Sequence, residues 1–236
     1  MGAITPIGTG KEAFWNAMME GKNGIGRITR FDPEGFHAQI AGEVKDFDPT
    51  DYIDKKESKR MDRYTQFAVA TAGMAIKDAG LDLEKENLER IGTYVGTGIG
   101  GIETMHSQYE KYFAKGPSRI SPFFVPMMIA NMAAGQVSIE YKLHGPSSCV
   151  VTACATGTNC IGDAFRVIQH GGADVMLAGG TEAAISQAVP RPATTHSRSA
   201  SSELTSWAAA KCTRFCWKYS SQALRVPEPR SRTSSG

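Results

Sequence analysis

Three short runs of strand-favouring residues, each ending in glycine or other small residues, constrain this chain more than any other feature. Residues 91–95 (IGTYV) end at Gly96, residues 148–152 (SCVVT) at Ala153, and residues 174–178 (DVMLA) at Gly179 and Gly180. Long helical patterns stand between them. Runs that are apolar at successive positions belong to strands buried on both faces, the habit of parallel sheets. Strands alternating with long helices predict an α/β fold, a mainly parallel sheet with helices on its faces. The helices are expected at residues 12–20, 58–79, 102–114, 126–141 and 154–170. In residues 58–79 the apolar positions Met61, Tyr64, Phe67, Ala68, Thr71, Ala72, Ala75 and Ile76 keep the three-and-four spacing of one helix face, and Gly80 stands where a C-terminal cap belongs. Residues 21–47 are turn-rich and show no period.

The pattern stops near Ser186. Residues 187–236 carry eight Lys/Arg against two Asp/Glu and a single glycine, Gly236; the preceding 186 residues carry a net charge of −4 and the other 24 glycines. Fifteen of the last 50 residues are Ser or Thr, yet two tryptophans and two cysteines also fall there. Two readings of this irregular tail stand: a Ser/Arg/Pro-rich segment too polar to order itself, or a stretch translated out of frame from about Gln187. The expected organisation is therefore 1–186 as a folded body and 187–236 as a tail foreign to it.

Composition excludes several functions. The net charge of +2 gives no basic footprint for nucleic acid. The longest apolar stretch, residues 123–134, contains Pro126 and Asn131 and is too short to span a bilayer, which needs about 20 residues. The first residues show no basic segment followed by an apolar one, so no secretory signal is read there. Five cysteines, an odd number, suit a reducing compartment better than a disulfide scaffold.

Two segments carry chemistry. Gly96-Thr97-Gly98-Ile99-Gly100-Gly101 has the G-x-G-x-x-G spacing of a dinucleotide site. No second strand ending in Asp or Glu follows at about 20 residues, as that site requires. A tight turn in which backbone approaches another element or a ligand is the better reading. The second segment is SSCVVTACATGTNCIGDAF, residues 147–165. Here a strand gives way to a helix at or near Cys154. A strand–turn–helix corner exposes its side chain, as in the nucleophile elbow of hydrolases, and a thiol there meets the positive end of the helix. Ala153, Ala155 and Gly157 leave room for a substrate. Cys154 is thus either a nucleophile or a small packed apolar residue. Cys149 and Cys160 read as core. Cys212 and Cys216 lack a second pair at zinc spacing, so no metal site is expected. The five histidines, 37, 106, 144, 170 and 196, are scattered, and none is assigned as a base. The charge run 54–63 (DKKESKRMDR) is a solvated helix start or a basic docking patch for an acidic partner.

Taken in order, GAITPIG (2–8), FWNAMMEGKNGIG (14–26), VGTGIGG (95–101), ISPFFVPMMIANMAAG (120–135), GPSSCVVTACATG (145–157) and AGGTEAAIS (178–186) resemble the β-ketoacyl-[acyl-carrier-protein] synthases of the elongating, type II kind. The resemblance implies a thiolase-like fold of two related α/β halves, of which this body supplies most of the first. It implies that Cys154 takes an acyl chain from carrier protein as a thioester. Malonyl carrier protein then loses CO2, and its carbanion attacks that thioester to give a 3-oxoacyl chain two carbons longer. It also implies that Ile99, Phe124 and Ala153 line the acyl pocket, the phenylalanine reaching across a homodimer interface. Backbone N–H groups, that of Cys154 among them, would hold the oxyanion, and two histidines would assist decarboxylation. Acyl and malonyl carrier proteins are the implied partners. No cofactor, metal, nucleic acid or membrane is implied. The implied location is the cytoplasm, or an organelle for a copy without its transit peptide.

The chain departs from that pattern in four places. The family's first strand normally precedes GAITP, so Met1 is expected to be an internal methionine of a longer frame. The HGT-like and GH histidine motifs and a GFGG segment are absent; His196, in TTHSRS, matches neither histidine. The expected consequence is an impaired condensing enzyme whose Cys154 still accepts an acyl group. The alternative is a non-catalytic dimer partner or acyl-binding fragment. Thiolase-type chemistry through coenzyme A ranks last, because SPFFVP and GTEAAIS are closer to the carrier-protein synthases.

Overall fold

The computed structural model describes residues 1–188 and 214–218. The chain opens with a small antiparallel pair, β1 (Ile4–Thr5) and β2 (Gly8–Thr9), followed by α1 (Lys11–Met19). The turn-rich stretch after it contains a second antiparallel pair, β3 (Ile25–Arg27) and β4 (Ile40–Gly42). Strands of three residues are too short to print a period on the sequence.

The helix expected over 58–79 is divided. A short α2 (Lys55–Ser58) precedes α3 (Arg63–Asp78), and Met61 lies buried in the break. Asp62 makes the break. Its Oδ1 accepts the Tyr64 N–H as a helix cap, while Oδ2 accepts from the Thr104 N–H at 2.9 Å and the Thr104 hydroxyl at 2.6 Å. Burial pushes the Asp62 carboxyl above the usual range, and those donors offset part of the effect. At the other end Gly80, at φ +61°, lets its N–H reach the Lys77 carbonyl and that of Leu81 reach the Ile76 carbonyl, a Schellman stop.

β5 (Ile91–Gly96) is followed by α4 (Ile102–Lys115). The helix expected over 126–141 is also two: α5 (Phe124–Met128) and α6 (Met132–Glu140). The break at Ile129 is fixed from outside, because its carbonyl accepts the buried Tyr64 hydroxyl at 2.6 Å. The strand expected over 148–152 shrinks to β6 (Ser147–Ser148), which pairs with β5 at a sheet edge. α7 (Thr156–Gln169) and β7 (Val175–Gly180) follow. β7 continues through the two glycines expected to close it, because they pair with Val95 and Gly96.

The sheet order is β6-β5-β7-β8, where β8 is Arg214–Lys218. β5, β6 and β7 are parallel; β8 is antiparallel to β7. The tail expected to be irregular therefore contributes one strand, from a run (RFCWK) rich in strand-favouring aromatic residues. The rest of the tail, with the patch at 207–210, Cys212 and His196, lies outside the described residues.

Alternate residues of β7 serve two faces. Val175 and Leu177 join Ile91 and Val95 in the main core beneath α3 and α6, with Val69, Ala72, Val137 and Leu143. Met176 and Ala178 meet Ala164, Ile161 and Ile168 of α7. The first face is closed. The second holds an open apolar depression of about 320 Å³ between Ile161, Phe165, Ile168, Met176 and Ala178, and Phe165 stays 48% exposed. Leu177→Ala removes a fully buried side chain from the closed face. It is expected to lower unfolding stability by about 2–5 kcal/mol, read by urea denaturation, whereas Phe165→Ala should change it by less than about 1 kcal/mol.

Candidate active site

Cys154 sits where the sheet hands over to α7. Thr152 has already left the extended region, at φ −134° and ψ 40°, Ala153 turns into the left-handed region at φ +49°, and a 3-10 turn over Ala153–Ala155 leads into the helix. A left-handed alanine costs roughly 1–2 kcal/mol, so the surroundings hold the corner in place. Thr152 is tied twice: its N–H donates to Thr156 Oγ1 at 2.9 Å, and its hydroxyl accepts from Asn159 Nδ2 at 2.7 Å. The strained corner expected from the sequence is present, with the strain on Ala153 and the thiol of Cys154 exposed beside it.

The glycine segment lies against this corner. Thr97 Oγ1 accepts from the Gly100 N–H at 3.2 Å, and the Gly101 N–H, at the start of α4, donates to the Met128 carbonyl at 2.9 Å. A Cβ on Gly98 would stand 2.9 Å from Glu182 Oε2 and 3.5 Å from the Ala153 Cα. The glycines therefore serve backbone packed against protein, and the donors that a pyrophosphate would need are used internally. Ile99 and Ala153, expected in the acyl pocket, belong to segments brought together here. Phe124 opens α5, half-buried, with its ring edge-on to Tyr109 at 6.4 Å between centroids.

Glu182 is the residue that sequence reasoning missed. Its carboxylate accepts from Thr97 Oγ1 at 3.1 Å and from the Gly98 N–H at 2.8 Å. Burial pushes it above the usual carboxylate range, opposed by these donors and by the N–H groups of Ala183 and Ile99. AGGTEAAIS carried no visible reason for an acid after a buried strand, and that oddity was the available signal.

Cys149 and Cys160 are less accessible than Cys154. Cys160 is fully buried on α7, and Cys149 is half-buried with its sulfur 3.4 Å from the Ala130 carbonyl oxygen. Burial pushes both thiols up. Three histidines are engaged elsewhere: His106 lies 3.6 Å from Glu110, His144 lies 3.5 Å from Glu89, and His170 Nδ1 lies 2.7 Å from the Arg166 carbonyl oxygen. His170 ends α7 at the far end from Cys154, about 21 Å away at 1.5 Å per residue. Among the described residues no cluster of three or more metal-ligating side chains occurs, and no helix is long and apolar enough to cross a membrane. Of the charge run, Lys55, Lys56 and Lys59 are exposed, while Arg60 lies over the Phe123 ring and Arg63 over Phe47 and Phe67. Iodoacetamide at neutral pH is expected to modify Cys154 at least about tenfold faster than Cys149 or Cys160, read by peptide mass mapping. Equal rates at all three would contradict the burial described.

Comparison with known proteins gives the geometry its context. The family "Beta-ketoacyl synthase, N-terminal domain" matches residues 1–205. The chain is 52% identical over 185 residues to 3-oxoacyl-[acyl-carrier-protein] synthase 2 of Staphylococcus aureus, covering 78% of this chain and 46% of that protein. It is 54% identical to the synthase of the same name from Synechocystis, covering 78% and 44%. It thus spans about half the length of the curated relatives it matches. Among solved structures, the ishigamide ketosynthase/chain length factor superposes with a TM-score of 0.71 at 33% identity, covering 77% of this chain and 46% of that one. A type II polyketide ketosynthase, solved in complex with its acyl-carrier protein, superposes with a TM-score of 0.69 at 25% identity, covering 80% and 50%.

Proposed function

The chain belongs to the β-ketoacyl synthase family, and on that premise we propose that residues 1–186 are the N-terminal half of a 3-oxoacyl-[acyl-carrier-protein] synthase of fatty acid biosynthesis, with Cys154 as its acyl-accepting nucleophile. The observation that carries the reading is the exposed thiol beside a left-handed Ala153 at the start of α7. In the proposed first step the Cys154 thiolate attacks the thioester carbonyl of an acyl carrier protein. The tetrahedral intermediate collapses, and the carrier's thiol leaves with a proton. The acyl chain then lies along Ile99, Ala153 and Phe124. In the second step malonyl carrier protein loses CO2. Its carbanion attacks the Cys154 thioester and expels the thiolate, leaving a 3-oxoacyl carrier protein.

The half-covered sheet supports a second α/β half as a neighbour. Both faces of a parallel sheet require cover, and the depression along α7 and β7 is the face still open. A homodimer is supported by the exposed edge of β6, where Ser147 and Ser148 are accessible, with Val151 beyond it 54% exposed. An unpaired edge flanked by apolar side chains invites a partner strand. Carrier proteins in this role would meet the exposed Lys55, Lys56 and Lys59 through charge attraction. The proposed location is the cytoplasm.

The family's later histidines have no counterpart in this sequence, and groups that act as a unit fail together when some are missing. Purified full-length chain incubated with octanoyl carrier protein is therefore expected to gain one octanoyl group on Cys154, lost in Cys154→Ala. With malonyl carrier protein added, it is expected to form no 3-oxodecanoyl product. Intact-protein and peptide mass spectrometry read the first result, and product chromatography the second. Acylation that persists in Cys154→Ala, or a measurable 3-oxoacyl product, would contradict the reading.

A further inference from the structure

Glu182 lies at the end of a chain of tertiary contacts that converges on the thiol corner. The residue before it, Thr181, is fixed at two points: its N–H donates to the Gly96 carbonyl at 3.0 Å and its hydroxyl to the Tyr64 carbonyl at 2.6 Å. These bonds lock the segment after β7 to β5 on one side and α3 on the other. From that anchor the Glu182 carboxylate reaches the glycine turn, taking Thr97 on Oε1 and Gly98 on Oε2. The N–H of Ile99 also faces it. Beside Gly98 stands the Cα of Ala153, 3.5 Å from the position a Cβ on Gly98 would take, with Glu182 Oε2 2.9 Å from that same position. Carboxylate and left-handed corner thus close together on the same side of the glycine backbone.

We infer that Glu182 is a positioning residue for acyl transfer: it holds the Thr97–Ile99 backbone against Ala153 and thereby sets the Cys154 thiol relative to the acyl chain. This rests on Cys154 being the nucleophile. Among the described residues the donors to the carboxylate are neutral, a hydroxyl and backbone N–H groups, so its work is geometric and depends on accepting hydrogen bonds. Glutamine in its place keeps one acceptor oxygen and nearly the same shape. Alanine leaves the turn's N–H groups without their acceptor, behind a buried gap. A displacement of about 1 Å at a reacting atom can slow a reaction on the order of a hundredfold, whereas attack on a small, freely diffusing reagent tolerates it.

The test compares wild type, Glu182→Ala, Glu182→Gln and Thr97→Val as full chains. One readout is single-turnover acylation of Cys154 by octanoyl-pantetheine; the other is alkylation by iodoacetamide. Glu182→Ala is expected to slow acylation by at least about tenfold while alkylation stays within about threefold. Glu182→Gln should return acylation to within about threefold of wild type, and Thr97→Val should fall between. Acylation at the wild-type rate in Glu182→Ala overturns the inference, as does a loss that Glu182→Gln fails to rescue. Should Glu182→Ala fail to fold, Thr97→Val carries the comparison, and its acylating at the wild-type rate overturns the inference. A second readout does not depend on thiol chemistry. In the amide spectrum of the ¹⁵N-labelled chain, Glu182→Ala, or Thr97→Val in its place, should displace Gly98, Ile99 and Ala153 together, while Glu182→Gln leaves Ala153 in place. If wild type itself is not acylated, the nucleophile assignment is what fails. The Ala153 resonance then decides the positioning role, and its staying fixed overturns it.

Discussion

The parallel ladder between β5 and β7 is the constraint on which the rest of this structure depends. Six residues pair in strict register, from Ile91 with Val175 to Gly96 with Gly180. That register places the ends of both strands side by side, and the candidate site lies just beyond those ends. One residue past the ladder Thr181 still bonds to Gly96, and one further on Glu182 closes on Thr97 and Gly98. A slip of one residue would turn every β7 side chain to the opposite face. It would also carry Glu182 away from the glycine turn, so core and site share one alignment.

The helices follow from the same sheet. β7 offers Val175 and Leu177 to α3 and α6, and Met176 and Ala178 to α7. The first face is completed by residues distant in sequence; the second is covered by α7 alone among the described helices that join its core. This asymmetry fits a chain that spans about half of its relatives. The candidate site sets Glu182 and Ala153 together against Gly98, beside the exposed thiol of Cys154.

Much of this was legible beforehand. Residues 91–95 and 174–178 could be read as buried strands because their apolar residues are continuous and β-branched or large. The thiol corner could be read because a strand, small residues and a helix meet at Cys154. Other features were hidden because their causes lie far off in the chain. Asp62 divides the helix expected over 58–79, since its second oxygen is claimed by Thr104, 42 residues away. Ile129 interrupts the helix expected over 126–141, since its carbonyl belongs to Tyr64, 65 residues away. Glu182 finds its partners 84 and 85 residues upstream, and no local pattern announces a contact of that range. The short strands β3 and β4 escaped because three residues cannot show a period. The strand at Arg214–Lys218 escaped because the composition around it read as a polar disordered tail or an out-of-frame stretch, neither of which predicts a strand.

The central claim is that the body folds around the β5–β7 ladder and that this ladder holds the thiol corner in place. Native-state hydrogen exchange on the isolated chain tests it most directly. The account predicts that the amides of Thr93 to Val95 and Leu177 to Gly179 are among the slowest to exchange, opening only with global unfolding. Exchange of those amides at the rate of an unfolded chain, while α3 and α7 stay protected, would contradict it.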